Sequence, residues 1–166
     1  LLLSPNNLLK PSDGGPVAVP SQDMVLGIYY LTQERPGALG EGKHFKNVNE
    51  AILAYENKVC TLHSRIWVRV TKKGADGQEI SGNVESTLGR FLFNEILPQD
   101  LGYVDRSDPE NLLKLEVDFH VGKKQLKQIL EKVINIHGAV RTAEVLDLIK
   151  STGYKYSTQA AMTVSI

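Results

Sequence analysis

Histidine and cysteine are the side chains of this chain that most often bind metals or act as nucleophiles. The four histidines, His44, His63, His120 and His137, are scattered, and no two of them lie at the spacing of metal ligands. Cys60 is the single cysteine, which excludes a cysteine-rich zinc site and a disulfide within these 166 residues. We therefore predict solvated or hydrogen-bonded histidines, and a buried structural thiol in place of a nucleophile.

Two pairs of acidic residues are the next candidates for chemistry. Glu34 with Glu41, and Asp105 with Asp108, lie in segments that we predict to be loops, where carboxylates are usually solvated. Their spacing identifies no general acid and base that would face one reacting group. We therefore interpret all four as surface residues.

A glycine-rich segment, Gly-Ala-Leu-Gly-Glu-Gly at residues 37–42, superficially suggests a phosphate site. The spacing of its glycines matches neither the dinucleotide fingerprint nor the P-loop, and no Gly-Lys-Ser/Thr follows. No helix is predicted to open directly from it. The prediction is a plain mobile loop, and a small independent enzyme that binds phosphate here remains an alternative.

Ser21, Gln22 and Asp23 have the features of a helix start. The Ser21 hydroxyl can cap the helix, and Asp23 places a negative charge in the first turn. The Gln22 amide is free to donate or accept a hydrogen bond. Residues 24–31 continue the helix and are apolar on nearly every side, so we expect this helix to be buried.

The remaining elements must position these candidates. Residues 62–70 alternate between apolar and polar side chains, as a half-buried strand does, and Asp76-Gly77 is a hairpin turn that returns a partner strand over residues 79–86. Asn47 or Asn49 can cap a short helix. A further helix is predicted over residues 88–97, where Pro98 ends it.

The strongest helical pattern covers residues 123–137, whose apolar side chains recur at every third or fourth position. Gly138 follows as a left-handed C-cap. Thr142 can then cap a second helix, and Gly153 can close it, with Tyr154 as a packed aromatic. Together these elements predict an α+β protein with mixed short strands, a β-hairpin and roughly four to five helices.

Length and composition limit the organisation and the function. With 166 residues and 42% hydrophobic content the chain can bury one core or two small lobes. We predict a segment over residues 1–98, a connector over 99–111 and a helical lobe over 112–166. Lys plus Arg equals Asp plus Glu at 19 each, so the piece alone should bind nucleic acid weakly. No apolar run is long enough for a membrane, and one thiol fits a cytoplasmic protein.

Residues 16–32 read Pro-Val-Ala-Val-Pro-Ser-Gln-Asp-Met-Val-Leu-Gly-Ile-Tyr-Tyr-Leu-Thr, a string too specific for composition to explain. Further blocks lie before and after it: Leu3-Ser4, Asn7-Leu8-Leu9, Gly40-Glu41-Gly42, Leu62-His63, Leu88-Gly89-Arg90-Phe91-Leu92-Phe93-Asn94 and Thr152-Gly153-Tyr154. In this order the blocks resemble the largest-subunit family of multisubunit RNA polymerases, the bacterial beta-prime subunits. The resemblance spans essentially the whole chain.

The resemblance implies a part of DNA-directed RNA polymerase, a nucleotidyltransferase. The family's Asn-Ala-Asp-Phe-Asp-Gly-Asp loop, whose three aspartates hold the catalytic Mg²⁺, does not occur in this sequence. We therefore expect a fragment that follows the metal site, forms scaffold and secondary-channel wall in the pore domain, has no cofactor of its own and is inactive alone. The implied partners are the rest of the beta-prime subunit, the beta, alpha, omega and sigma subunits, template DNA and RNA, with no membrane.

The resemblance also assigns roles to two groups of residues. They are Ser21, Gln22 and Asp23 as support for the active site, and Thr152, Gly153 and Tyr154 as channel wall. From the residues alone, helix capping is the favoured explanation of Ser21, Gln22 and Asp23, and the two roles can coexist. The alternative from another class is a free-standing α/β protein-interaction module without catalysis, which the apolar residues at both ends of the sequence disfavour, since both ends look cut.

Overall fold

The structure is a computed structural model that describes residues 19–165, with side chains described for residues 19–159. Its helices are α1 (Gln22–Leu31), α2 (Val48–Glu56), α3 (Leu88–Glu95) and α4 (Lys123–Ser165), and its strands are β1 (His44–Phe45), β2 (Arg65–Lys73) and β3 (Glu79–Thr87). Four helices and a mixed sheet confirm the predicted α+β class. The extended segment predicted for residues 4–20, with a short strand at residues 17–19, falls almost entirely outside the described residues.

The sheet has the order β1-β2-β3, with β1 parallel to β2 and β2 antiparallel to β3. The predicted hairpin is confirmed: Gly77 has a φ of 82° in the turn, and Asp76 Oδ1 accepts from the Gln78 N–H at 3.0 Å. On one face of β2, Ile66 and Val68 are fully buried. The opposite face carries Arg65, Trp67 and Arg69, polar residues with one large aromatic, as the alternation predicts.

Side-chain caps begin three of the helices. Ser21 Oγ accepts from the Met24 N–H at 3.3 Å, Asn47 Oδ1 from the Glu50 N–H at 2.8 Å, and Thr87 Oγ1 from the Arg90 N–H at 3.2 Å. The cap at Ser21 was predicted, and Asn47 is the one of the two candidate asparagines that caps α2. Each hydroxyl or amide oxygen satisfies an N–H that the first turn leaves unpaired.

The prediction that α1 is buried on nearly every side is wrong. Met24, Gly27, Ile28 and Leu31 form its buried face, whereas Leu26 is 57% exposed. Some apolar residues of α1 therefore lie outside the core, and they present apolar surface to the exterior.

Helix α4 is bent at Gly138, whose φ of 86° and ψ of 178° are reserved for glycine. The predicted break after residue 137 is confirmed, and it divides α4 into a first segment (residues 123–137) and a second segment (residues 139–165). Thr142 does not begin a helix. It lies inside the second segment, and its hydroxyl donates to the Gly138 carbonyl at 2.9 Å. Gly153 does not end one either, because the helix continues to Ser165.

The hydrophobic core draws on α1, α3, the sheet and both segments of α4. The four central residues of the first segment of α4, namely Leu126, Ile129, Leu130 and Val133, are fully buried, as their spacing predicts. Residues 99–111 are turns and a short 3-10 helix, Pro109–Asn111. Glu116, which is buried, fastens this segment by accepting from the Tyr103 and Val104 N–H groups at 2.6 and 3.2 Å.

Candidate functional site

Helix α1 and the second segment of α4 meet at two glycines. A Cβ added to Gly27 would lie 2.8 Å from Gly153 Cα, so the two backbones are in direct contact. Any side chain at Gly27 would force them apart. The contact is less tight from the other side, since a Cβ added to Gly153 would lie 3.3 Å from Gly27 Cα. Gly153 thus lies at a helix contact and not at the C-cap that the sequence suggested.

A groove of about 630 Å³ runs beside this contact. Its lining residues are Asp23, Met24, Leu26 and Gly27 from α1, and Asp147, Lys150, Ser151, Gly153, Tyr154 and Ser157 from α4. Asp23 was predicted as support for the active site, whereas Gly153 and Tyr154 were predicted as channel wall. The structure brings the two groups together, because all three residues line the same groove. Tyr154, interpreted from the sequence as a packed aromatic, is instead 75% exposed.

The other predicted site residues lie close to the groove without lining it. Ser21 and Gln22 are exposed at the start of α1, and Ser21 acts as the helix cap. Thr152 is half-buried in α4. The start of α1 is thus available to a neighbouring element.

Two histidines hold the C-terminal end of α1. His63 Nε2 donates to the Tyr30 carbonyl and His120 Nε2 to the Tyr29 carbonyl, each at 2.8 Å. These carbonyls belong to the last turn of a helix, where cations and N–H donors are favoured. Burial lowers the pKa of His63, and this outweighs the opposing effect of its backbone hydrogen bond. Both histidines are thus hydrogen-bonded, as predicted.

Thr32 and Arg90 complete the attachment of α1. Arg90 Nε donates to the Thr32 carbonyl at 2.9 Å, and the Thr32 hydroxyl donates to the Ile28 carbonyl at 2.7 Å. The same hydroxyl accepts from the Val121 N–H at 2.9 Å. The end of α1 is therefore joined to α3 and to the segment that precedes α4.

A charged network that the sequence analysis missed surrounds Arg90. Glu34 Oε1 lies 2.9 Å from Arg65 Nη1 and 3.1 Å from Arg90 Nη1. Asp118 bridges the same two arginines, at 3.6 Å from Arg65 and 3.4 Å from Arg90. Glu34 is thus a partner of two arginines, and the interpretation of it as a solvated surface residue is wrong. Because Arg90 is buried, each of its charged hydrogen bonds is stronger than it would be in water.

The remaining acidic candidates make local contacts. Glu41 Oε2 accepts from the Gly37 N–H at 2.7 Å, so it closes its own loop and does not pair with Glu34. Asp105 and Asp108 are exposed and accept from backbone N–H groups two residues ahead, each at 3.0 Å. These three residues are structural turn and loop acceptors.

Cys60 and the glycine-rich loop pack against each other. Cys60 is buried, and burial raises the pKa of its thiol, which confirms a structural thiol. Gly40 has a φ of 87°, and a Cβ there would lie 2.6 Å from Cys60 Cβ. Close packing against Cys60 explains Gly40 without a phosphate.

Two further observations limit the chemistry of the described residues. Across residues 19–165, no three histidine, cysteine, aspartate or glutamate side chains are grouped so that they could hold a metal ion. His137, which was considered as a ligand, pairs with Asp100 at 2.7 Å, and the His44 ring stacks on Trp67. In the same part of the chain no helix has both the length and the apolar character needed to cross a membrane.

Comparison with known proteins gives matches along the whole chain. A family described as RNA polymerase Rpb1, domain 3 matches residues 7–166. The DNA-directed RNA polymerase subunit beta' of Lachnoclostridium phytofermentans is 74% identical over all 166 residues, and that of Acetivibrio thermocellus is 58% identical over the same length. The corresponding subunit of Thermoanaerobacter pseudethanolicus is 51% identical. The chain spans 13% to 14% of the length of these curated relatives.

Proposed function

Since this chain belongs to the RNA polymerase Rpb1 domain 3 family, we propose that it is part of a DNA-directed RNA polymerase beta-prime subunit and takes part in transcription. Within that subunit it forms scaffold beside the catalytic centre and wall of the secondary channel, in the pore domain. The single observation that carries the proposal is the 74% identity to a beta' subunit over the entire chain. The relatives favour this function over a free-standing interaction module, because each of those named is a polymerase subunit.

The geometry supports a positioning role for α1. Its C-terminal end is fixed by His63, His120 and Arg90, while its N-terminal turn is exposed. A helix that is anchored at one end and free at the other can hold Gln22 and Asp23 at a defined place beside a neighbouring element. In the proposal, that element belongs to the catalytic centre.

Catalysis itself lies outside this chain in the proposal. Magnesium is held by the aspartate loop of the parent subunit, which this sequence lacks. The carboxylates that the structure gathers in one cluster, those of Glu34, Glu85 and Asp118, do not fit a magnesium site because each of them is paired with Arg65 or Arg90. The chain alone is therefore expected to be inactive. The other subunits, DNA and RNA as partners, and a cytoplasmic location, stay predictions.

Elongation by the complete polymerase tests the role of the exposed turn. Replacing Gln22 by Ala should slow elongation by about twofold to tenfold, the effect of one lost hydrogen bond in the transition state, while assembly stays normal. Asp23→Ala should modestly reduce both the elongation rate and assembly, because it also loses a helix-dipole interaction of about 0.3–1 kcal/mol. Gln128→Ala is the matched control, since Gln128 is an exposed glutamine on α4. Unchanged elongation in both α1 variants would leave only the capping role.

A further inference from the structure

The groove between α1 and α4 carries apolar surface that nothing in the described structure covers. Leu26 is 57% exposed on one wall and Tyr154 is 75% exposed on the other. Val140, which is 79% exposed, continues the same side of α4, because residues 140, 147, 151 and 154 recur at helical spacing. Two large exposed apolar side chains, one on each wall of the groove, with a third beyond it at Val140, are a usual mark of an interaction surface.

The charges around the groove are unequal. Asp23 and Asp147 line it, and neither forms an ion pair with the described residues, whereas Lys150 contributes the only positive charge among the lining residues. A surface with a net negative charge repels phosphate, which disfavours RNA or DNA as the occupant. It favours a segment that brings an arginine or lysine together with apolar side chains.

We infer that this groove is the docking site of another segment of the same beta-prime subunit, an apolar stretch that carries an arginine or lysine for Asp23 and Asp147. The inference rests on the proposed function. The chain spans 13% to 14% of its relatives' length, so most of such a subunit lies outside it. A covalently connected segment also has a far higher effective concentration than a free partner or a second copy.

Small residues make the groove suitable for an ordered segment. Ser151 and Ser157 line it with small side chains, so a helix or strand can come close to the backbone of α4. Leu26 and Tyr154 then cover the segment from both sides. Their burial supplies the hydrophobic contribution, and the two aspartates select a cationic partner.

Site-specific photocross-linking in the assembled polymerase tests this inference. A full-length subunit that contains this sequence carries p-benzoylphenylalanine in place of Leu26 or, in a second variant, of Tyr154. Leu53 on α2 provides the matched control, because it is also 57% exposed but does not line the groove. Mass spectrometry then identifies the captured peptide.

We expect positions 26 and 154 to capture one peptide of the same subunit from outside this chain, with an arginine or lysine among apolar residues. Position 53 should not capture it. Asp147→Lys should lower the cross-link yield about tenfold or more, because like charges across an interface oppose docking. Glu110→Lys, an exposed charge reversal elsewhere, should leave the yield unchanged.

Several outcomes would overturn the inference. Capture of nucleic acid, of a second copy or of a different subunit would do so, as would no capture from both groove positions or a yield that is insensitive to Asp147→Lys. If the polymerase that contains the unmodified sequence transcribes normally in these cases, the docking inference alone fails. If a full-length subunit with this sequence supports no transcription, the proposed function fails.

Discussion

Gly89 gives the sharpest test of how α1 is held in place. It is the second residue of α3, and its N–H donates to the Leu62 carbonyl at 3.0 Å. A Cβ added at Gly89 would lie 1.8 Å from the carbonyl oxygen of Leu31, the last residue of α1, and 2.9 Å from the carbonyl carbon. Since non-bonded heavy atoms prefer separations of about 3.5–4.0 Å, Gly89→Ala must move α1 away from α3 by roughly 1.5 Å or more.

Two opposing effects set how much stability Gly89→Ala should lose. Overpacking a well-packed core typically costs about 1–3 kcal/mol, and the upper end applies here because the obstacle is backbone and cannot rotate away. Alanine favours a helix over glycine by up to about 1 kcal/mol. The net expectation is a decrease of about 2 kcal/mol in the free energy of unfolding, or about 4–8 °C in Tm for a chain of this size.

Denaturant unfolding of the purified chain, followed by circular dichroism, measures this difference. Gly153→Ala is the matched control, because it is also a helical glycine, but its nearest obstacle, Gly27 Cα, is 3.3 Å away. Its free energy of unfolding should change by no more than about 1 kcal/mol. The reasoning is refuted if Gly89→Ala is as stable as the parent chain, or loses less stability than Gly153→Ala.

Two further predictions concern the core and the pH dependence. Replacing the fully buried Leu130 by Ala should lower the free energy of unfolding by about 2–5 kcal/mol. Lys127 is exposed on the same helix, so Lys127→Ala should lower it by no more than about 0.5 kcal/mol. Equal losses of the two variants in denaturant unfolding would contradict the core assignment. Because burial lowers the pKa of His63 below its ordinary value of 6.5, the folded chain binds fewer protons than the unfolded one, and stability falls as the pH drops below that value. His63→Gln, which can still donate to the Tyr30 carbonyl, should reduce this loss between about pH 7.5 and about pH 5.5. Parallel profiles of unfolding free energy against pH for the parent chain and the variant, measured in urea, would count against it.

Local patterns predicted the parts of the fold that depend on neighbours in sequence. The Ser21 cap, the Asp76-Gly77 turn and the apolar stripe of residues 123–137 each involve residues only a few positions apart. Hydrogen bonding and side-chain periodicity within such a segment decide the structure. The same patterns could not decide burial on α1, because a helix that is apolar all round does not reveal which side faces the core.

Local sequence patterns could not predict interactions between residues that are far apart in the sequence. Glu34 pairs with Arg65 and Arg90, which are 31 and 56 positions away, and a single sequence contains many other possible pairings. One signal was present: Arg90 lies among the apolar residues of α3, and a charge in such a segment needs a partner when it is buried. Gly153 was misread for a related reason, since a glycine near a helix end and a glycine at a helix contact look the same locally.

The blocks that carry the family resemblance have a common structural neighbour. His63 of Leu62-His63 binds the Tyr30 carbonyl of α1, and Gly153 of Thr152-Gly153-Tyr154 lies against Gly27. The block at residues 88–94 supplies both the glycine beside the end of α1 and the arginine that binds the Thr32 carbonyl. Each of these blocks thus contributes a contact that fixes α1 and leaves its first turn exposed. If the function of this part of the subunit is to place that turn, these contacts are the ones that its relatives have to share.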